Sequence, residues 1–221
     1  MKTRIIVILM ALSLSLAAAA QRVLMVGDSH IALKTYPEEL KSILHDECPE
    51  VDFDCIGVGG AGFYTYVNKP SLMQKIYDKK PEVLVVALGT NDCNNTQYMA
   101  SRSLKFITRF YDGIKANLPD CKIVFVTPFY FKTKKVHGSG MEINPNVPAM
   151  TKVICDFAAS HDDTYSINLL DDYGMYFLDN NLLRKDLIHL TKYGYISLAN
   201  LVADGLLSLP VLNCAPLPLA P

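Results

Sequence analysis

From residue 21 onward the chain alternates short apolar runs with stretches whose apolar residues recur every three or four positions. The runs at 22–26, 51–56, 83–88, 122–127 and 165–169 predict five strands. The stretches at 37–45, 71–78, 97–118, 148–161 and 191–207 predict helices between and after them. Strand and helix in regular alternation argue for an α/β fold with a mainly parallel sheet. The first, third and fourth runs are continuously apolar or β-branched, as expected of strands covered on both faces. Val51-Asp52-Phe53-Asp54-Cys55-Ile56 and Tyr165-Ser166-Ile167-Asn168-Leu169 alternate instead, which places them at the sheet edges. In the longest helix, Tyr98, Leu104, Ile107, Phe110, Tyr111, Ile114 and Leu118 form an apolar stripe at helical period, expected to be core. Thr191 is the expected N-cap of the last helix, which Ile196, Leu198, Leu201, Val202, Leu206 and Leu207 pack against the sheet.

Two stretches break this pattern. Residues 129–147 combine Lys132, Lys134, Lys135, His137, Gly138, Gly140 and Pro145, and are read as an irregular loop placed where substrate would arrive. Residues 210–221 hold four prolines and no charge, and are read as a tail lying over the surface. Before the first strand, Lys2 and Arg4 precede an apolar run and Ala18-Ala19-Ala20, the pattern of a secretory signal cleaved near Ala20. The run is short of the ~20 apolar residues a spanning helix needs, so no stable membrane insertion is expected. The mature chain, with one domain over 21–209, would then be exported to a periplasm or secreted.

Charge and cysteine content narrow the classes. The whole chain carries 21 basic and 22 acidic residues, a formal net charge of −1, which points away from nucleic acid. Its six cysteines (Cys48, Cys55, Cys93, Cys121, Cys155 and Cys214) lack paired C-x-x-C spacing, so no metal site is expected. In a parallel sheet Cys93 and Cys121 fall at opposite strand ends, roughly 20 Å apart and beyond disulfide reach. Cys214 could reach Cys121 or Cys48, and Cys48 with Cys55 is a local alternative. Free thiols throughout are a further possibility.

Candidate chemistry collects at one edge of this expected sheet. Gly27-Asp28-Ser29 ends the first strand, Gly57-Val58-Gly59-Gly60 the second, and Gly89-Thr90-Asn91-Asp92 the third; Asp186-Leu187-Ile188-His189 precedes the last helix. Ligands of open parallel sheets bind outside the carboxyl ends of the strands, where all four pieces map. Acyl transfer needs a nucleophile, a base, a group that orients the base and donors for the oxyanion. Ser29 offers the hydroxyl and His189 the base. Asp186 can orient His189 if the intervening segment makes a single turn. The Ser29 and Gly60 backbone N–H groups and the Asn91 side-chain amide are the expected oxyanion donors. Asp28, Thr90 and Asp92 are read as tying down their own turns, and His30 as lying off the reacting position.

These residues resemble the SGNH (GDSL-type) hydrolases, whose motifs match Gly27-Asp28-Ser29, Gly60, Gly89-x-Asn91-Asp92 and Asp186-x-x-His189 in order along nearly the whole chain. The resemblance implies a flavodoxin-like, three-layer α/β/α sandwich on a five-stranded sheet. It also implies a Ser29, His189 and Asp186 triad, with Ser29, Gly60 and Asn91 as the oxyanion hole and no metal or cofactor. Many lipase-like members have leucine after the serine, whereas His30 gives Gly-Asp-Ser-His here. That variant, with Gly59-Gly60-Ala61, is similar to members that act on O-acetylated carbohydrates, including peptidoglycan O-acetylesterases. The expected substrate is therefore an acylated small molecule or glycan, with a lipase, lysophospholipase or thioesterase as the alternative.

The residues disfavour three rivals. Gly57-Val-Gly-Gly-Ala-Gly62 satisfies the G-x-G-x-x-G dinucleotide pattern. That pattern should open a helix at once, yet residues 63–70 are aromatic, β-branched and broken by Pro70, and Leu88 and Gly89 stand where an acidic residue is wanted. A glycan-binding protein without catalysis would have no need of Ser29, His189 and Asp186 together. An α/β-hydrolase elbow is also disfavoured, because Ser29 is followed by His30 and Ile31 rather than by x-Gly.

Overall fold

A computed structural model describes residues 20–94, 98–134 and 139–214. The signal segment, save Ala20, and the tail beyond Cys214 lie outside the described residues, as do Lys135 and His137. In chain order the elements are β1 (Gln21–Gly27), α1 (Ser29–Ala32), α2 (Thr35–Glu47), β2 (Val51–Gly57), α3 (Phe63–Val67), α4 (Pro70–Lys79) and β3 (Val83–Ala87). There follow α5 (Thr90–Cys93), α6 (Ala100–Asn117), β4 (Lys122–Val126), β5 (Lys132–Lys134), β6 (Met141–Ile143) and α7 (Val147–Ala159). The chain continues through β7 (Thr164–Ile167), α8 (Leu169–Tyr173), α9 (Tyr176–Asp179) and α10 (Lys192–Ser208).

Five parallel strands form one sheet in the order β2-β1-β3-β4-β7. The two strands with alternating sequence, β2 and β7, are the edges. Helices α2 and α10 pack together, while α3, α6 and α7 pack in series, giving a layer on each side of the sheet. The order of strands reverses direction at β1 and β3, so the crevice at their carboxyl ends is the place where an open α/β sheet receives ligands. Gly27 at the end of β1 lies level with Gly57 of β2 and Ala87 of β3. A Cβ on Gly27 would sit 2.7 Å from the Ala87 carbonyl and inside the Ile31 side chain, so only glycine lets the chain turn here.

Several expectations need correction. In α6 the buried residues are Ser103, Phe106, Ile107, Phe110 and Ile114, whereas Leu104 is 44% exposed. Ile107, Phe110 and Ile114 are core as expected, and Tyr98, Tyr111 and Leu118 pack partly buried against it. The place expected of Leu104 goes to Ser103 and Phe106, because Phe106 and Phe110 pack on the aromatic side chains of α3. In α10 the small residues Gly194, Ala199 and Ala203 bring the helix close, and Ile196, Leu201 and Leu207 are only partly buried. Thr191 caps the helix as expected, its hydroxyl accepting the Gly194 N–H at 3.2 Å. The stretch read as an irregular loop contains an antiparallel hairpin, with Lys132 opposite Ile143. Residues 63–67, read as too β-branched and aromatic to open a helix, form α3. Its first N–H is satisfied by a carboxylate, since both Asp92 oxygens accept from Phe63 at 3.1 and 3.2 Å.

Cys48 and Cys214 form a disulfide with Cα atoms 4.9 Å apart, joining the end of α2 to the segment after α10. Cys55, Cys93, Cys121 and Cys155 are free. The bridge closes a loop over a sequence separation of 166 residues, so it removes much of the unfolded chain's freedom. Replacing Cys48 and Cys214 together with alanine is expected to lower stability by about 3 kcal/mol. In a thermal melt that is a drop of about 6–12 °C, and added reductant should shift the wild type but not the variant.

Candidate active site

Ser29 is the first residue of α1, placed there by the turn at Gly27. Its preceding residue, Asp28, is 1% exposed and caps that turn, one carboxylate oxygen accepting the His30 N–H at 2.9 Å. The other oxygen accepts from the Asn91 side-chain amide at 3.2 Å. Asn91 also donates to the Ala61 carbonyl at 3.0 Å. Asp28 and Asn91 thus lash the three loops after β1, β2 and β3 to one another. Burial pushes the Asp28 carboxyl up to about 6 and the Asp92 carboxyl up to about 6.

The Asp186 to His189 segment lies between α9 and α10. One Asp186 oxygen accepts the backbone N–H groups of Ile188 and His189 at 2.9 and 2.8 Å. The other lies 2.9 Å from His189 Nδ1. This is an Asx turn with Leu187 at φ +62°, rather than a helical turn. Burial raises the Asp186 carboxyl, but these backbone and side-chain hydrogen bonds outweigh it and hold the group below the usual carboxylate range. His189 Nε2 lies 2.8 Å from the Ser29 hydroxyl. The structure therefore brings Ser29, His189 and Asp186 into one hydrogen-bonded chain across 160 residues of sequence.

Gly60 sits in the loop after β2 at φ +70°, a left-handed conformation that disfavours side chains, and a Cβ there would face open space. Neither the Ser29 nor the Gly60 N–H donates to an acceptor among the described residues. The Asn91 side-chain amide donates to Asp28 and to Ala61 in this structure. Gly60 and Asn91 both line a cleft of about 160 Å³ that runs between α3 and the start of α6.

Sequence reasoning left three supports unread. His30 is buried, its Nδ1 2.9 Å from the Tyr195 hydroxyl and its ring 5.2 Å from that of His189. Burial lowers its pKa to about 3, so it is neutral and packs behind His189. Tyr66 places its hydroxyl 2.9 Å from the Gly27 carbonyl and 3.2 Å from that of Ile56, pinning β1 to β2 beside the turn that carries Ser29. The β5–β6 hairpin braces the site from the other side. Lys132 N–H donates to the Leu187 carbonyl at 2.9 Å, and the Asn144 and Asn146 amides donate to the Cys93 carbonyl at 3.3 and 2.9 Å. The polar residues in the segment after β4 were the available signal, but nothing in them specified these partners.

The structure thus sets a hydroxyl, an imidazole and a carboxylate in series at the carboxyl edge of a doubly wound α/β sheet. The chain belongs to the GDSL-like lipase/acylhydrolase family, whose model matches residues 25–195, and is thus a carboxylic ester hydrolase. No curated protein matches it in sequence. Among solved structures, the acetyl xylan esterase AlAXEase is similar over 83% of this chain and 98% of its own, with 21% identity and a TM-score of 0.66. A peptidoglycan O-acetylesterase matches 86% of this chain and 91% of its own at 11% identity and a TM-score of 0.69. The acetylxylan esterase Axe2 from Geobacillus stearothermophilus matches 88% of this chain and 97% of its own at 14% identity and a TM-score of 0.66.

The buried Asp28 carboxyl yields a pH prediction. Its folded pKa is raised above the ordinary 3.8, so the folded state holds a proton that the unfolded state has lost between pH 3.8 and about 6. Stability from this group is therefore lost as pH rises through that window. Urea denaturation of wild type and Asp28→Asn at pH 4 and pH 7 should show wild type losing about 3 kcal/mol relative to the variant on going to pH 7.

Proposed function

We propose that this protein removes short acyl groups, chiefly acetyl, from a carbohydrate, using Ser29 as nucleophile, His189 as base and Asp186 as the group that orients it. The observation that carries the reading is the unbroken chain of 2.8 and 2.9 Å contacts from the Ser29 hydroxyl through His189 to Asp186. His189 Nε2 takes the Ser29 proton as Oγ attacks the ester carbonyl carbon. The tetrahedral intermediate collapses when His189 returns that proton to the departing alkoxide, leaving an acyl-serine. Water, losing a proton to His189, then attacks the acyl carbon and releases the carboxylic acid and Ser29. Asp186 remains ionised throughout and stabilises the imidazolium.

The developing oxyanion would be met by the unspent N–H groups of Ser29 and Gly60. Asn91 becomes a third donor by exchanging its 3.2 Å bond to Asp28, the longer of its two, for the oxyanion. The cleft beside Gly60 and Asn91 is lined by Thr65, Asn91, Arg102 and Ser103 together with aromatic side chains, a polar and aromatic mix that suits the sugar part of an ester. The acetyl esterases among the similar folds support the same reading. Catalytic mutants of Axe2 replace a serine, an aspartate and a histidine, the aspartate three positions before the histidine as Asp186 is before His189. The sequence further supports a catalytic domain over 21–209 that is exported after cleavage near Ala20.

Acetate release from acetylated xylan, acetylated peptidoglycan and a nitrophenyl ester series tests this. Ser29→Ala and His189→Ala should each lower kcat by about 10⁴-fold or more, and Asn91→Ala by about 10²-fold. Full activity in Ser29→Ala would overturn the mechanism. A wide preference for long-chain esters would replace the glycan substrate with a lipid.

A further inference from the structure

Beyond Gly60 and Asn91 the cleft has a second set of residues that the ester-cleaving reaction does not use. Tyr64 from α3 and Phe106 from α6 meet edge to face with ring centroids 5.1 Å apart. The guanidinium of Arg102 lies 5.9 Å from the Tyr64 ring centroid and 5.8 Å from that of Phe106. Tyr64 is 53% exposed although its partner Phe106 is buried, so half an aromatic ring is presented to solvent at the cleft. Arg102 pairs with no carboxylate within 4.0 Å among the described residues, whose ion pairs lie elsewhere. The acidic residue lining the cleft, Asp92, turns both oxygens to the Phe63 N–H and is not available to Arg102.

The cleft has room for more than an acetyl group, and a guanidinium that meets no carboxylate of the chain among the described residues bonds an anionic group more strongly than a neutral hydroxyl. A guanidinium held over aromatic rings is pre-oriented at little entropic cost and keeps its forked donors free for a carboxylate. We propose that the cleft selects esters of acidic sugars, with the sugar ring lying against Tyr64 and its carboxylate meeting Arg102. This substrate class is a hexuronic acid unit carrying an O-acetyl group. It rests on the sugar-ester reading above and names the sugar. Arg102 is here a specificity residue, distinct from the groups that do the chemistry.

The test measures kcat/KM for two matched substrates, an O-acetylated methyl glucuronoside and the O-acetylated methyl glucoside of the same linkage, with wild type, Arg102→Gln and Arg102→Lys. Wild type should prefer the acidic substrate by about tenfold or more at low salt, since a hydrogen bond to a charged group typically changes binding by that factor. The preference should shrink as ionic strength is raised, because an accessible ion pair is screened. Arg102→Gln should abolish it, and Arg102→Lys should restore part of it, keeping the charge but losing the fork. If wild type cleaves both substrates equally, or if Arg102→Gln loses the same factor on both, the acidic-sugar inference fails while the sugar-ester reading stands. If neither sugar acetate is cleaved but nitrophenyl acetate is, the sugar-ester reading fails and this inference with it.

Discussion

Everything at the site depends on the parallel register that sets the ends of three strands level. Gly27 opposite both Gly57 and Ala87 makes the loops after β1, β2 and β3 start from one line. Short loops leaving a common line cannot stray far, so the residues two to four positions past each strand end meet. The register is held by the ladder itself and reinforced by Tyr66, whose hydroxyl reaches carbonyls on β1 and β2 at once. A slip of one residue would reverse every strand side chain and carry Ser29 away from His189.

The second constraint is the buried carboxylate of Asp28, which converts nearness into fixed geometry. It accepts from the turn that carries Ser29 and from the side chain that lies beyond β3. Burying a carboxylate is costly, and its upward-shifted pKa is the mark of that cost. Asp92 does the equivalent for α3, giving its first N–H an acceptor inside the protein. The glycine-rich loop after β2 thus ends on a helix whose terminus already holds an anion, which is the place a phosphate would take in a dinucleotide site.

The sheet was legible in the sequence because strands covered on both faces must be continuously apolar, and edge strands need not be. Alternation alone placed β2 and β7 at the edges. The positions of Ser29, His189 and Asp186 were legible for a related reason, since strand ends and a loop before the last helix all map to one edge. What lay beyond reach was set by contacts between distant segments. Leu104 and Phe106 fit a helical period about equally, and only the aromatic residues of α3 decide which turns inward. The hairpin of β5 and β6 has three residues per strand, too few for a period to emerge. The spacing of Asp186 and His189 admitted a helical turn and an Asx turn alike, and the choice follows from hydrogen bonds to backbone groups that no pattern of side chains records.

His30 shows how burial separates two histidines that sequence sets on an equal footing. It is adjacent to Ser29, yet its ring is sealed among Phe129, Tyr195 and His189 and stays neutral. This neutrality matters to the base that we propose, His189. In the proposed reaction His189 would become a cation on taking the Ser29 proton, and a second charged imidazole 5.2 Å away would oppose that step. At an effective dielectric of about 20 the repulsion would be about 3 kcal/mol, as much as an oxyanion donor contributes. Keeping His30 dry removes this opposition without surrendering its volume, which backs the His189 ring from behind. The ionised group that remains next to His189 is Asp186, and its hydrogen bonds to the Ile188 and His189 N–H groups keep it so. A neutral histidine on one side and the Asp186 carboxylate at Nδ1 on the other therefore fix the His189 ring with its Nε2 2.8 Å from the Ser29 hydroxyl.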